Sequence, residues 1–302
     1  MKKPFAAAAL LLLSVTLSAK PEADHLGPMQ GFPPDPPAEE GGKPRRHAYQ
    51  GMDIYGDYML SLQHEGYATV YRLSGDSFTK AGQFRLGSFH PYNHANVASF
   101  GVEKVQKDDP MPVVYVSHCH KKPAAEGKDV CYVERIAPDL RSSEVVQVIL
   151  YEDVNRDFGY ALQWVVDPKA KMLYGYGNTI DNYHPDNRHR IIKFRLPQLS
   201  DGAMVVLHPE DALENYLIEE VSDFRFNPIG QGLYVRGGKL YMPTGIGTGP
   251  KPSILYIWDL KKKRMQVADL TECTSGELED IAFYKGKCWI QGQDGIFRIR
   301  KF

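Results

Sequence analysis

A chain of 302 residues with 43% hydrophobic and 24% charged residues has the makeup of a globular protein that buries a large core, as one closed repeat domain or as two smaller ones. Its 36 Lys and Arg stand against 37 Asp and Glu, a net charge of -1, which gives no support to nucleic-acid binding, since that needs a basic face. The 27 Gly, 21 Pro and 18 Tyr suit a turn-rich β protein, and no long helical periodicity stands out.

Lys2 and Lys3 precede an apolar run over residues 5–15, and small residues follow at Ser18 and Ala19. This is the pattern of a secretory signal peptide over residues 1–19, too short for a comfortable transmembrane helix. Cleavage is expected near Ala19, although Leu17 fits poorly three residues before the cut, and no cysteine there offers a lipid anchor. No later stretch is apolar enough to span a membrane, so the expected location is periplasmic or extracellular. Residues 20–46 carry Pro33-Pro34-Asp35-Pro36-Pro37 and then Glu39-Glu40-Gly41-Gly42. Such a stretch cannot build a core and reads as a disordered linker, with a single domain over residues 47–302.

Blade-like units of strand and Gly-containing turn then recur. Residues 50–55, 58–62, 68–73 and 81–86 form the first, with turns at Gly56-Asp57 and His64-Glu65-Gly66. The second runs through residues 96–100, 113–117, 130–136 and 145–150. The third has strands at 163–166, 172–176, 191–196 and 204–207, followed by a segment of some helical character at 209–220. The fourth opens Gln231-Gly232-Leu233-Tyr234-Val235 and turns at Gly237-Gly238; the last opens Glu279-Asp280-Ile281 and turns at Lys285-Gly286. Gln50, Gln231 and Glu279 coincide on alignment without gaps, as do Gly51, Gly232 and Asp280. Self-similarity at this spacing predicts an all-β fold, a five-bladed β-propeller. The last unit supplies only three strands, and a segment near His47 is expected to provide its fourth and close the ring. A β-sandwich or an open array would show the same hairpin spacing.

Four cysteines in an oxidising compartment allow three connectivities. Cys119 and Cys131 flank a polar hairpin tip, and Cys273 and Cys288 flank the first strand of the last unit. Either pair can be bridged, or the four can be reduced core residues. No C-x-x-C is present, so zinc and thioredoxin-type chemistry have no sequence support.

In a propeller, the loops between second and third strands share one face with the loops that lead into each innermost strand. Here those loops hold His64, His90, His94, His118, His120, His184 and His189, seven of the ten histidines. A long polar face of this kind, over a central channel, is where a binding site is expected. The innermost strands begin with Gln50, His94 and Asn96, Gln163, Gln231, and Glu279 with Asp280. Such groups hydrogen-bond sugar hydroxyls or hold a cation through oxygen, though polar residues there also serve simply to bind channel water. His94, His118 and Glu279 are the candidate ligands of a metal, a divalent cation being the one cofactor the residues suggest. Glycosidases of the five-bladed arabinanase type use three acids on separate innermost strands. Asp53, Glu279 and Asp280 are available here, but residues 97–100 carry no acid and Asp167 sits in a turn.

The units at residues 231–242 and 279–290 resemble blades of secreted bacterial propellers, including the lactonase/strictosidine-synthase-like group, whose Glu-Gly-Ile-Ala strand start is similar to Glu279-Asp280-Ile281-Ala282. The His94-Ala95-Asn96 stretch, after a first unit opening Gln50-Gly51, resembles helveticin-like proteins. The resemblance implies the fold and transfers no catalytic residue. Two functions follow as expectations. One is a non-catalytic protein that binds an extracellular small molecule, glycan, cell-wall component or protein on its polar loops, with Tyr92, Tyr160, Trp164 and Tyr183 stacking on sugar faces. The other is a metal-assisted hydrolase or lactonase using Glu279, Asn96 and His94 around a cation at the channel mouth.

Overall fold

The computed structural model describes residues 20–36, 43, 45–120, 122–181, 184–222, 224 and 230–302; the expected signal peptide lies outside them. The described strands form five sheets, four of four strands and one of five, and together they make a five-bladed β-propeller. The first blade is Tyr49–Tyr55, Tyr58–Gln63, Tyr67–Ser74 and Ser77–Arg85. The second is Ala98–Phe100, Val114–Ser117, Cys131–Ile136 and Ser143–Tyr151. The third is Tyr160–Asp167, Met172–Asn178, His189–Arg195 and Glu214–Leu217. The fourth is Tyr234–Arg236, Lys239–Thr244, Ile254–Asp259 and Arg264–Asp269. Leu278–Tyr284, Lys287–Gly292 and Gly295–Lys301 make the inner three strands of the fifth.

The core lies between blades, which is why inner strands are apolar on both sides while an outermost strand such as Arg264–Asp269 is mostly exposed. Leu60, Val70, Val114 and Val116 join the first blade to the second; Val133, Trp164, Leu173 and Phe194 join the second to the third. Val165, Ile191, Leu240 and Trp258 fill the third interface, and Leu255, Ile257, Ile281 and Ile290 the fourth. Met52, Met59, Tyr71 and Trp289 then bind the fifth blade back to the first. Apolar packing therefore runs around the whole ring, which a sandwich would not give. Gly237-Gly238 and Lys285-Gly286 have positive φ at both positions, the conformation that lets a two-residue turn follow strand twist.

An N-terminal strand closes the ring, as expected, but it lies earlier in the chain than the residues near His47. The fourth strand of the last blade is Glu22–Gly27, antiparallel to Gly295–Lys301, and it comes from the stretch read as a linker rather than from residues beside His47. The next residues latch onto the first blade. Gln30 N donates to Tyr71 Oη at 2.8 Å, Gly31 N to Tyr49 Oη at 3.0 Å and Phe32 N to Gln63 Oε1 at 2.6 Å. His47 is buried with its ring 4.3 Å from that of Tyr67.

Two smaller differences sit near the third blade. Met204–Leu207 lies parallel on Ser143–Tyr151 of the second blade, and Glu214–Leu217 takes the outermost place instead. Helix in residues 209–220 shrinks to a 3-10 turn at Pro209–Asp211 and the start of a one-turn helix, Ile218–Val221.

Candidate functional site at the channel mouth

Three of the five innermost strands begin with a register shift, between Tyr49 and Met52, Tyr160 and Gln163, and Leu278 and Asp280. A bulge re-aims the side chains around it, and here it turns Gln50, Gln163 and Glu279 to the channel end. Asn96 Nδ2 donates to the Gln231 carbonyl at 2.9 Å, and Gln163 Nε2 donates to the same oxygen. Residues of the second, third and fourth blades thus meet across a narrow channel. Gly51 N donates to Ala95 O at 2.9 Å, which sets Gln50 beside Asn96. A Cβ on Gly51 would lie 2.6 Å from Ala98 N, so only glycine lets the first two inner strands approach this closely.

Gln50, Asn96, Gln163, Gln231, Glu279 and Asp280 are all buried. Gln50 Oε1, Asn96 Oδ1 and Gln163 Oε1 have no hydrogen-bond donor. Buried acceptors without partners are uncommon and costly, so the mouth presents oxygen in need of a donor or a cation. Glu279 accepts from Gln293 Nε2. Burial pushes its carboxyl well above the ordinary value, and the charges of Glu277 and Asp280 add to this. Glu277, which accepts from Gln231 Nε2 at 2.5 Å, and the amides of Gln291 and Gln293 were missed in the sequence. Their alternation in Gln291-Gly292-Gln293, at the end of a strand beside Glu279, is the signal that marks them.

Asp280 has another task. Its Oδ2 accepts from Met52 N at 2.8 Å and Ala98 N at 3.4 Å, and its Oδ1 from Leu233 N at 3.1 Å and Ile281 N at 2.9 Å. One carboxyl group therefore ties the first, second, fourth and fifth blades. Asp53 does the same on a smaller scale, accepting from Ile54 N and Phe100 N, both at 2.6 Å.

Burial pushes the Asp53 carboxyl from 3.8 up to about 7, the two backbone N–H groups opposing the shift. A folded value above the unfolded one gives stability that is complete below about pH 4 and is lost as pH rises through about 7. The thermal midpoint should therefore fall between pH 5 and pH 8, and Asp53→Asn should flatten that slope. Identical slopes in melts of both proteins would exclude Asp53 as a source.

The histidines gather on the same face, at the loops of the first two blades. The rings of His64 and His94 are 4.4 Å apart, and His120 lies 6.5 Å from His94 and 6.2 Å from His118. Burial first, then the neighbouring imidazoles, lowers His94 from 6.5 to about 3, so it is neutral. His118 is buried, its Nε2 2.9 Å from Lys122 O. The expected set of His94, His118 and Glu279 is not assembled: Glu279 is tied to Gln293 in the fifth blade, while His94 packs on His64. Among the described residues no three His, Cys, Asp or Glu side chains are grouped to hold a metal ion. All four cysteines are free thiols.

Trp164 is fully buried and its Nε1 donates to Asp129 O at 2.9 Å, which removes it as a stacking platform. Tyr92 is 38% exposed, but His120 stacks on it at 5.6 Å and Lys122 Nζ sits 4.0 Å from its centroid. Tyr183 and the side chain of Tyr160 lie outside the described residues. The same face also carries a hollow of about 870 Å³ between the second and third blades. Leu150, Phe158, Ile180 and Val206 give it an apolar floor, and Glu126, Lys128, Asp129 and Arg156 contribute charge.

No protein-family model matches the chain, and no curated protein matches it. Among solved structures it is similar to the tail fiber of Staphylococcus aureus phage P68, with a TM-score of 0.52 at 12% identity over 92% of this chain and 52% of that one. The chain thus spans about half the length of that protein. It is also similar to Myxococcus xanthus glutaminyl cyclase, with a TM-score of 0.49 at 14% identity over 94% of this chain and 97% of the other. A putative oxidoreductase (glucose dehydrogenase) of Thermus thermophilus gives a TM-score of 0.45 at 12% identity over 93% of this chain and 100% of the other. At 12% identity the likeness to the tail fiber shows a shared fold alone, and with its five sheets the chain is a five-bladed member of the β-propeller architecture.

Proposed function

We propose that this propeller is a non-catalytic, secreted binding protein that takes an extracellular glycan or cell-wall ligand on its polar loop face. One observation carries the reading: the hollow of about 870 Å³ on that face, with an apolar floor and charged groups around it. Its size suits a ligand of one to a few sugar units. The guanidinium of Arg156 has no hydrogen bond or ion pair among the described residues, and Glu126 accepts only from Tyr132 Oη there, at 2.9 Å. A carboxylate of a cell-wall fragment suits the first, and sugar hydroxyls suit the second. Two of the three acids available to a hydrolase are occupied, since the oxygens of Asp53 and Asp280 accept backbone N–H groups.

Titration calorimetry with solubilised peptidoglycan fragments and with chitooligosaccharides tests this. Wild type should bind one of the two classes, and Arg156→Ala should weaken that binding about tenfold, the loss of one charged hydrogen bond. No binding of either class at millimolar concentration, or an unchanged affinity in the variant, would reject the site.

A second reading, the metal-assisted hydrolase or lactonase, is favoured by the donorless oxygens of Gln50, Asn96 and Gln163 beside Glu279. It expects a divalent cation retained through dialysis and lowered at least tenfold in occupancy by Glu279→Gln. Elemental analysis finding no metal in wild type would dismiss it.

A further inference from the structure

The other end of the channel is also concave, although it is served mostly by short turns, the loop over residues 101–113 being the longer one. A hollow of about 760 Å³ opens there, lined from all five blades, with Tyr55, Phe100, Lys169, Arg236 and Phe283 among its residues. Its walls are aromatic. Tyr55 is 40% exposed and its ring lies 5.9 Å from that of Phe100, while Tyr234 and Phe283 are 5.5 Å apart. Its charge is unbalanced. The Arg236 guanidinium stands 4.5 Å from the Phe283 centroid and pairs with no carboxylate among the described residues, and the Lys169 ammonium is likewise unpaired. Lys285 alone of the three cations is compensated, by Asp57 at 3.1 Å. The acids in the lining offer little in return. Asp167 Oδ1 caps its own turn, accepting from Lys169 N at 3.1 Å and Ala170 N at 3.0 Å. Asp53 is buried, with both oxygens engaged by backbone N–H groups.

A guanidinium laid on an aromatic ring is held in place without a counter-ion, and its planar fork matches a carboxylate. Aromatic walls favour a flat partner, and the volume suits a small molecule. We propose that this hollow is a second binding site, for a small aromatic carboxylate whose anionic group meets Arg236 and Lys169 and whose ring lies against the aromatic walls. The site is independent of the loop face. Between the two ends, Asn96 and Gln163 meet at the Gln231 carbonyl and close the channel to anything of that size.

Calorimetry with 4-hydroxybenzoate, its neutral amide 4-hydroxybenzamide, and inorganic phosphate as probes decides the matter. Wild type should bind the benzoate with submillimolar affinity, and the amide and phosphate at least tenfold more weakly. Arg236→Gln should lose at least tenfold and Lys169→Gln about threefold, while Arg156→Ala on the far face should bind the benzoate as wild type does. Near-UV circular dichroism verifies that each variant is folded, and Lys169→Gln, on an exposed turn, carries the test if Arg236→Gln is not. The proposal is overturned if the benzoate fails to bind at millimolar concentration. It is equally overturned if the amide or phosphate binds as well, or if the folded variants retain wild-type affinity.

Discussion

Asp280→Ala should destabilise the propeller by about 4 kcal/mol or more, since each buried donor left without a partner costs about 1–3 kcal/mol and Asp280 serves four. For a domain of this size that is a fall of about 7 °C or more in the midpoint. The reason lies in the blade repeat. The position after the polar mouth residue is glycine in the first and fourth blades, Gly51 and Gly232, and Asp280 in the fifth. A Cβ on Gly232 would meet Asp280 Oδ1 and the Glu279 carbonyl. The space that glycine leaves open is therefore where the carboxyl group reaches the inner strand of the fourth blade. Asp280→Asn keeps one acceptor oxygen and should fall between wild type and Asp280→Ala. Urea unfolding of the three proteins measures the order, and an alanine variant within about 1 kcal/mol of wild type would show that the contacts contribute little.

Asp280 also shows where sequence reasoning runs out. Its place at the head of an inner strand was legible, because the hairpin pattern aligns it with Gly51 and Gly232. What its carboxyl group does was not, because its partners are backbone amides of three other blades, and backbone amides leave no mark in a sequence. The number of blades could be read, since each carries its own turn chemistry, as at Gly237-Gly238 and Lys285-Gly286. So could the meeting of Asn96, Gln163 and Gln231, which closure of any such ring enforces. Trp164 misled because an aromatic residue at a strand head looks the same in sequence whether its ring faces the channel or a neighbouring blade. The histidines misled differently. Those of the first two blades do cluster on one another, but among the described residues they form no metal-holding group with Glu279, a matter of loop conformation that residue spacing does not specify.

Deleting residues 20–29 should open the ring. Glu22–Gly27 is short and half polar, and nothing in it marks a strand until Gly295–Lys301 is there to pair with it. Its removal takes away a full antiparallel ladder. Also lost are the ion pairs of Asp24 with Arg298 at 2.5 Å and with Arg300 at 3.3 Å, and the packing of Ala23 on the fourth interface and of Leu26 and Met29 on the fifth. The ion pairs are partly exposed and contribute little, whereas burying a side chain such as Leu or Met stabilises by about 1.5–3 kcal/mol. The apolar part alone therefore amounts to about 3–6 kcal/mol. Loss of the ladder also leaves Gly295–Lys301 as a bare edge strand, a template for pairing with a second copy. The shortened protein should melt at least about 5 °C lower and appear in light scattering as dimers or larger species. A peptide of residues 20–29 added in excess should restore both the midpoint and the monomer, because it supplies the strand that pairs with Gly295–Lys301. A shortened chain that melts with the full one and stays monomeric would mean that the first and fifth blades hold the ring closed through Met52, Tyr71 and Trp289 alone.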